Sequence, residues 1–243
     1  MKTPLFLAIV LLSGFSAGVI HGLTNLALVE PYLDQAIGIE NQNLFDSGEA
    51  KDGPSFWVEY NSYRYWQKEG QILAGGILGM SIGSLFGIIF AFSRKTLPEG
   101  HDAKKALILA AIMWGSIFLI PFLKYPANPP TVGDPDTVVL RGILFLSFIA
   151  ISGFGALGFY YLSKKLQKRK KIISIIGYAA FMSIMFVIMP INPDKMTAPI
   201  DLVNGFRMMS LLTVSIYWVS NAIILGVLWQ RFQPDKPIYT KTH

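Results

Sequence analysis

The stretch ILAGGILGMSIGSLFGIIFAF, residues 72–92, decides the fold. It is 21 residues long and carries no charge. At 1.5 Å rise per residue, a helix of that length covers roughly 31 Å, the depth of a bilayer's hydrocarbon core. Gly75, Gly79, Gly83 and Gly87 recur in it every four residues. A helix gathers such a row on one face, where a second backbone can approach closely. Glycine costs up to about 1 kcal/mol against alanine inside a helix, so a repeated row implies an offsetting packing role. Gly14, Gly18 and Gly22 repeat the spacing near the N-terminus, so the first two apolar stretches are expected to pack against each other.

Five more apolar stretches have membrane-spanning length, giving about six spans: Pro4–Leu28, Ile72–Phe92, Ala106–Leu123, Val138–Leu162, Ile172–Ile191 and Phe206–Trp229. The first is longer than the apolar part of a signal peptide and carries His21 and Asn25, so it reads as a retained span. Composition agrees: 52 % of the 243 residues are hydrophobic and only 15 % charged, too few charges to cover a soluble globule. The expected fold is an all-α polytopic membrane protein forming one helical domain over residues 1–243.

Orientation follows from the basic residues, which gather on the cytoplasmic side. With both termini cytoplasmic, 14 of the 21 Lys and Arg residues fall inside and 12 of the 15 acids outside. The Lys-rich run from Ser163 to Lys171 is then an inner anchor rather than a nucleic-acid site. Residues 29–71 form the one long connection, extracytoplasmic, with eight acids against three bases. Its aromatic cluster, from Phe56-Trp57 to Tyr65-Trp66, suits the headgroup boundary, and Phe56–Gln71 reads as an interfacial helix or a loop. Spans two and four both start Gly-Ile-Leu and end in Ser plus two bases, while spans three and five both exit through prolines. The pattern suggests a duplicated hairpin.

Function has to come from polar groups inside the spans, where each is costly. His21, Asn25 and Glu30 follow one another toward the outer boundary. Imidazole, amide and carboxylate on one line suit a divalent first-row ion such as Co²⁺ or Ni²⁺. From the residues alone, a histidine hydrogen-bonded to a neighbouring helix is the preferred reading. Met182, Met185 and Met189 read as packing rather than as a soft-metal stripe. Ser210, Thr213, Ser215, Ser220 and Asn221 on span six read as interhelical hydrogen bonds or a polar path. Arg141 and Arg207 open spans four and six, with Asp136 and Asp201 as the nearby acids expected to neutralise them.

The chain has no cysteine, so disulfides, thiolate metal sites and Cys nucleophiles are excluded. It contains no phosphate-binding Gly-Lys-Ser/Thr loop, no HExxH pair and no Gly-x-Ser-x-Gly elbow, so an enzyme is not expected. The collective hint is the acidic outer side, which attracts cations.

Several stretches taken together resemble the CbtA family of predicted cobalt transporter subunits. They are Gly14-Phe15-Ser16-Ala17-Gly18 with His21, Glu30-Pro31 and Glu40; Trp114-Gly115 with Pro121, Pro126, Pro129-Pro130, Gly133 and Arg141; and Phe206, Ser210-Leu211 and Trp218. Near the third-span exit the family pattern includes a Pro-Glu, where this chain has Pro129-Pro130-Thr131 and lacks the carboxylate. Family members are often described with five spans, whereas the charges here support six.

The resemblance implies a plasma-membrane cobalt-uptake subunit of a prokaryote, working beside a small histidine-bearing partner subunit. His21, Asn25, Glu30 and Glu40 are the candidate metal residues. No permanently bound cofactor is expected, with Co²⁺ or Ni²⁺ as cargo. The bilayer and a homo-oligomer are the other expected partners, and nucleic acid is not one. The alternative is a non-transporting assembly subunit of a larger membrane complex.

Overall fold

The computed structural model describes residues 2–130, 132–167, 171–194 and 196–235. Thr131 and the bases Lys168, Arg169, Lys170, Lys195, Lys236 and Lys241 lie outside the described residues. Every regular element among the described residues is helical. In chain order they are α1 Thr3–Leu28, α2 Glu30–Ser47, α3 Pro54–Ser93, α4 Asp102–Met113, a π turn Trp114–Leu119, α5 Ile120–Lys124, a 3₁₀ turn Pro135–Thr137, α6 Val138–Lys164, α7 Lys171–Ile188 and α8 Ile200–Phe232. Six of these runs are long and apolar enough to cross a membrane: Thr3–Leu28, Pro54–Ser93, Asp102–Lys124, Pro135–Lys164, Lys171–Ile188 and Ile200–Phe232. The chain is an all-helical six-span membrane protein.

Most helices outrun their apolar stretches, because a hydrogen-bond ladder does not stop at the hydrocarbon edge. α7 is the exception: it ends at Ile188. Pro190 has no N–H and disfavours helical conformation at Met189. The 29–71 connection is almost wholly helical. A single residue, Val29, joins α1 to α2. Gly48 ends α2 at φ 78°, a left-handed cap that side chains resist. Pro54 then opens α3, whose 40 residues run about 60 Å. The aromatic segment from Phe56 is thus the first part of the same helix that becomes span two.

The chain divides into two compact units, Met1–Ala111 with Met208–His243, and Ile112–Arg207. In the first unit α1 and α3 run antiparallel, with the two glycine rows face to face. A Cβ at Gly79 would come within 2.6 Å of the Gly18 Cα, and one at Gly83 within 2.6 Å of the Gly14 Cα. Both distances are shorter than any carbon contact, so backbone lies on backbone, as the spacing predicts. α8 closes on this pair: the Tyr217 hydroxyl donates to the Gly79 carbonyl at 3.0 Å. Phe86, Phe90, Leu225 and Trp229 are fully buried, with Phe90 edge-on to Trp229 at 5.2 Å between centroids. At the end opposite α2, Arg94 pairs with Asp102 at 2.5 Å and Asp235 at 2.7 Å. There the Lys2 backbone donates to the Pro234 carbonyl at 2.7 Å, so the start of α1 and the end of α8 share one end of the unit.

In the second unit the π turn has a sequence cause. Ile120 donates five residues back, to the Gly115 carbonyl. The next donor in that register would be residue 121, which is proline. The Ser116 carbonyl is therefore left without a helical partner, and the Ser152 hydroxyl of α6 donates to it at 2.5 Å. Ser152 also meets the Tyr178 hydroxyl at 2.7 Å. Met182 packs in a core with Tyr125, Leu144 and Phe148, joined by Met185 and Met189, as the packing reading of that stripe expects. The arginines find more distant partners than the neighbouring acids. Arg141 pairs with Asp194 at 2.8 Å, and Arg207 donates to Asn128 at 2.6 Å. Asp194 also accepts from Thr137, and that bond leads in holding its carboxyl below the usual range.

Candidate functional site

The first unit carries its polar chemistry in two zones. One lies where α1 leaves its apolar stretch and α2 begins. The Asn25 amide donates to Gln71 Oε1 at 3.0 Å, and Gln71 Nε2 donates to Glu30 Oε2 at 3.1 Å. The other Glu30 oxygen accepts from Arg64. Arg64 also donates to Asp34 at 2.8 Å and to Gln67 at 2.7 Å, and Lys68 reaches Asp34 at 2.7 Å. Glu30 and Arg64 are 5 % and 6 % exposed, so the pair is a buried one in which each group meets an opposite charge. Burial pushes the Asp34 carboxyl up, but the bonds from Lys68 and Arg64 outweigh it and hold Asp34 below its ordinary value.

Helix geometry explains why these groups meet. Glu30 and Asp34 are one turn apart on α2, while Arg64, Lys68 and Gln71 follow one another by a turn on α3. The two stripes face each other in antiparallel register. Farther along, Phe45 of α2 packs on Phe56 and Trp57 of α3, at centroid distances of 4.9 and 6.0 Å. The aromatic cluster therefore serves partly as a small core between α2 and α3, while Tyr65 and Trp66 remain exposed.

The second zone is a buried stripe on α8. His21 Nδ1 lies 3.2 Å from the Thr213 carbonyl oxygen. A carbonyl only accepts, so this bond puts a proton on Nδ1; in the neutral ring Nε2 then carries the lone pair with which imidazole binds metals. Tyr217 stands edge-on to the His21 ring at 6.3 Å. One turn further, Asn221 is wholly buried, and neither its Oδ1 nor its Nδ2 has a hydrogen-bond partner. An unpaired buried polar atom costs about 1–3 kcal/mol.

Of the four residues expected to meet an ion, Gln71 links Asn25 to Glu30, and His21 bonds to α8 instead. Glu40 is exposed on α2, ten residues beyond Glu30. Among the described residues no group of three or more His, Asp or Glu side chains is gathered to hold a metal ion. Sequence reading missed Asp34, Arg64, Lys68 and Gln71. Their signal is present as acids four apart on one segment and bases four apart on the next, and it becomes visible once both segments are known to be helices.

Comparison with known proteins gives one result. The family model of CbtA, described as a probable cobalt transporter subunit, matches residues 4–230. No curated protein and no solved structure matches the chain.

Proposed function

The chain belongs to the CbtA family of probable cobalt transporter subunits, and from that premise we propose that it carries the cobalt path itself, from the α2 end inward. In this reading both termini are cytoplasmic and α2 stands outside the cell membrane of a prokaryote. Cations collect at the acidic α2 side, with Glu40 as an entrance group. They are then handed to Glu30, Asn25 and the free Nε2 of His21. Nickel is the nearest competitor for such a mixed oxygen and nitrogen set.

The observation that carries the proposal is the Asn25–Gln71–Glu30 hydrogen-bond chain, which ends on the buried Glu30 with Arg64 seated on it. In the absence of an ion, Arg64 and Lys68 neutralise the carboxylates. A divalent cation competes with these tethered charges for the same oxygens. Its entry would release Arg64 rather than fill a ready-made cage. The chain itself does no chemistry on the ion and is not an enzyme in this reading. A small histidine-bearing partner would deliver or accept the ion, and a second copy of the chain is a further candidate partner.

Radioactive cobalt uptake by cells tests the proposal, with the amount of inserted protein measured in the same membranes. His21→Ala and Glu30→Gln are each expected to lower uptake at least tenfold at equal insertion. Unchanged uptake by both variants would remove this site.

The alternative is a non-transporting assembly subunit. Its supporting observation is the exposed α3 face bearing Val58, Tyr63 and Trp66. The glycine rows of α1 and α3 give it no support, because they are used up against each other. Cobalt uptake that persists without this chain's polar residues, together with co-purification of a stoichiometric partner, would favour it.

A further inference from the structure

The transport reading ends at His21, but the polar stripe on α8 goes on. Thr213, Tyr217 and Asn221 lie four residues apart on one helix face, and all three are buried. The first two are accounted for. The Thr213 carbonyl receives His21, and the Tyr217 hydroxyl bonds to the Gly79 carbonyl. Asn221 is not. Its side chain meets the α1–α3 seam where the glycine rows cross, and a Cβ at Gly83 would sit 3.5 Å from Asn221 Oδ1 and 2.6 Å from the Gly14 Cα.

We propose that Asn221 binds water at the inner end of a hydrated half-path, which enters from the α2 end and passes His21 and Tyr217. Two features lead to this. The first is the kind of partner Asn221 lacks. Its amide has an unused acceptor and an unused donor. A bare cation would satisfy the oxygen alone, whereas water satisfies both. The second is the change in character along α8. Below Asn221 the stripe turns apolar: Leu225 is fully buried, and Trp229 stands edge-on to both Phe90 and Phe6. The polar line thus stops at Asn221, and an aromatic plug separates it from the Arg94 ion pairs at the opposite end. Small residues opposite Asn221 leave no side chain to claim its amide. The proposal extends the transport reading by giving the path a depth, and depends on it only for which ion travels there.

The chain has no cysteine, so single-cysteine variants report water access without background. Asn221→Cys, Thr213→Cys and Leu225→Cys are to be treated with a small charged methanethiosulfonate, in right-side-out and in inverted membrane vesicles. The expected result is modification at residues 221 and 213 at least tenfold faster than at residue 225, and only from the α2 side. Equal protection of 221, 213 and 225 would overturn the proposal, and so would modification of 221 only from the opposite side. Thr213→Cys is nearly isosteric and carries the same expectation, so it decides the matter if Asn221→Cys does not insert. The assay contains no cobalt. Wild-type cells that fail to take up cobalt would strike the transport reading and leave this one standing, while unreactive cysteines would do the reverse.

Discussion

α3 lives in two surroundings along one continuous axis. From Ile72 to Phe92 it is held to α1 by glycine, backbone against backbone. From Pro54 to Gln71 it is held to α2 by ion pairs and aromatic rings. The difference is the one expected if the apolar part of α3 lies in lipid and its polar part in water. In lipid, apolar side chains gain nothing by meeting each other rather than acyl tails, so close backbone approach and dispersion do the work. In water, apolar rings and partly buried charges can associate, and the interface can be tuned by salt and acid. One seam is fixed by shape and the other by charge.

Three experiments sharpen that contrast. The largest effect is expected at Arg64. Arg64→Ala leaves Glu30 buried without its cation, and breaking such a pair costs about 3–5 kcal/mol. Thermal unfolding in detergent should show a large fall in midpoint, and Arg64→Ala with Glu30→Gln should recover part of it. No recovery would mean that Glu30 is not the group left stranded. Next comes the glycine seam. Gly79→Ala drives a methyl into the Gly18 backbone, an overpacking worth about 1–3 kcal/mol. Gly38→Ala on exposed α2 meets nothing within 4 Å and should be neutral or slightly stabilising. Equal losses at both positions would mean that helix propensity, not the seam, sets the cost.

The smallest effect is pH-dependent. Asp34 is held below its ordinary value by Lys68 and Arg64. Its contribution is therefore fully present above the unfolded value of about 3.9. It is lost as pH falls through the lower folded value. Between pH 7 and 5, amide exchange in α2 should not change for this reason, and below about pH 4 it should quicken in α2 before it does in α1. High salt should loosen the Lys68–Asp34 pair first, as it is the more exposed one.

The six spans and the glycine seam are legible in the chain because both depend on local periodicity. A row of glycines four apart announces a close face whatever lies opposite. The 29–71 segment is not legible in the same way. Its acids read as a diffuse attraction for cations, yet Glu30 and Asp34 are answered by bases 34 residues further along each in turn. Nothing in local spacing reveals such a pairing. The same holds for Arg141, whose nearby Asp136 is the natural guess and whose partner is Asp194. The π turn hides for another reason. Pro121 is visible, but its effect is the loss of a rung five residues earlier. Of the candidate site, His21 is legible as an oddity, while its bond to α8 and the isolation of Asn221 require the third helix.

Val29, the one residue between α1 and α2, has a mechanical consequence. A joint that short has no slack, so a change in the tilt of α1 is passed to α2 as rotation rather than absorbed. α2 has 18 residues and is about 27 Å long, so turning it by 10° would swing its far tip by about 5 Å. The ion pairs with α3 sit near the joint, where leverage is least and a small motion suffices to break or remake them. The arm thus turns a small change in the tilt of α1 into a several-fold larger displacement at the far tip of α2.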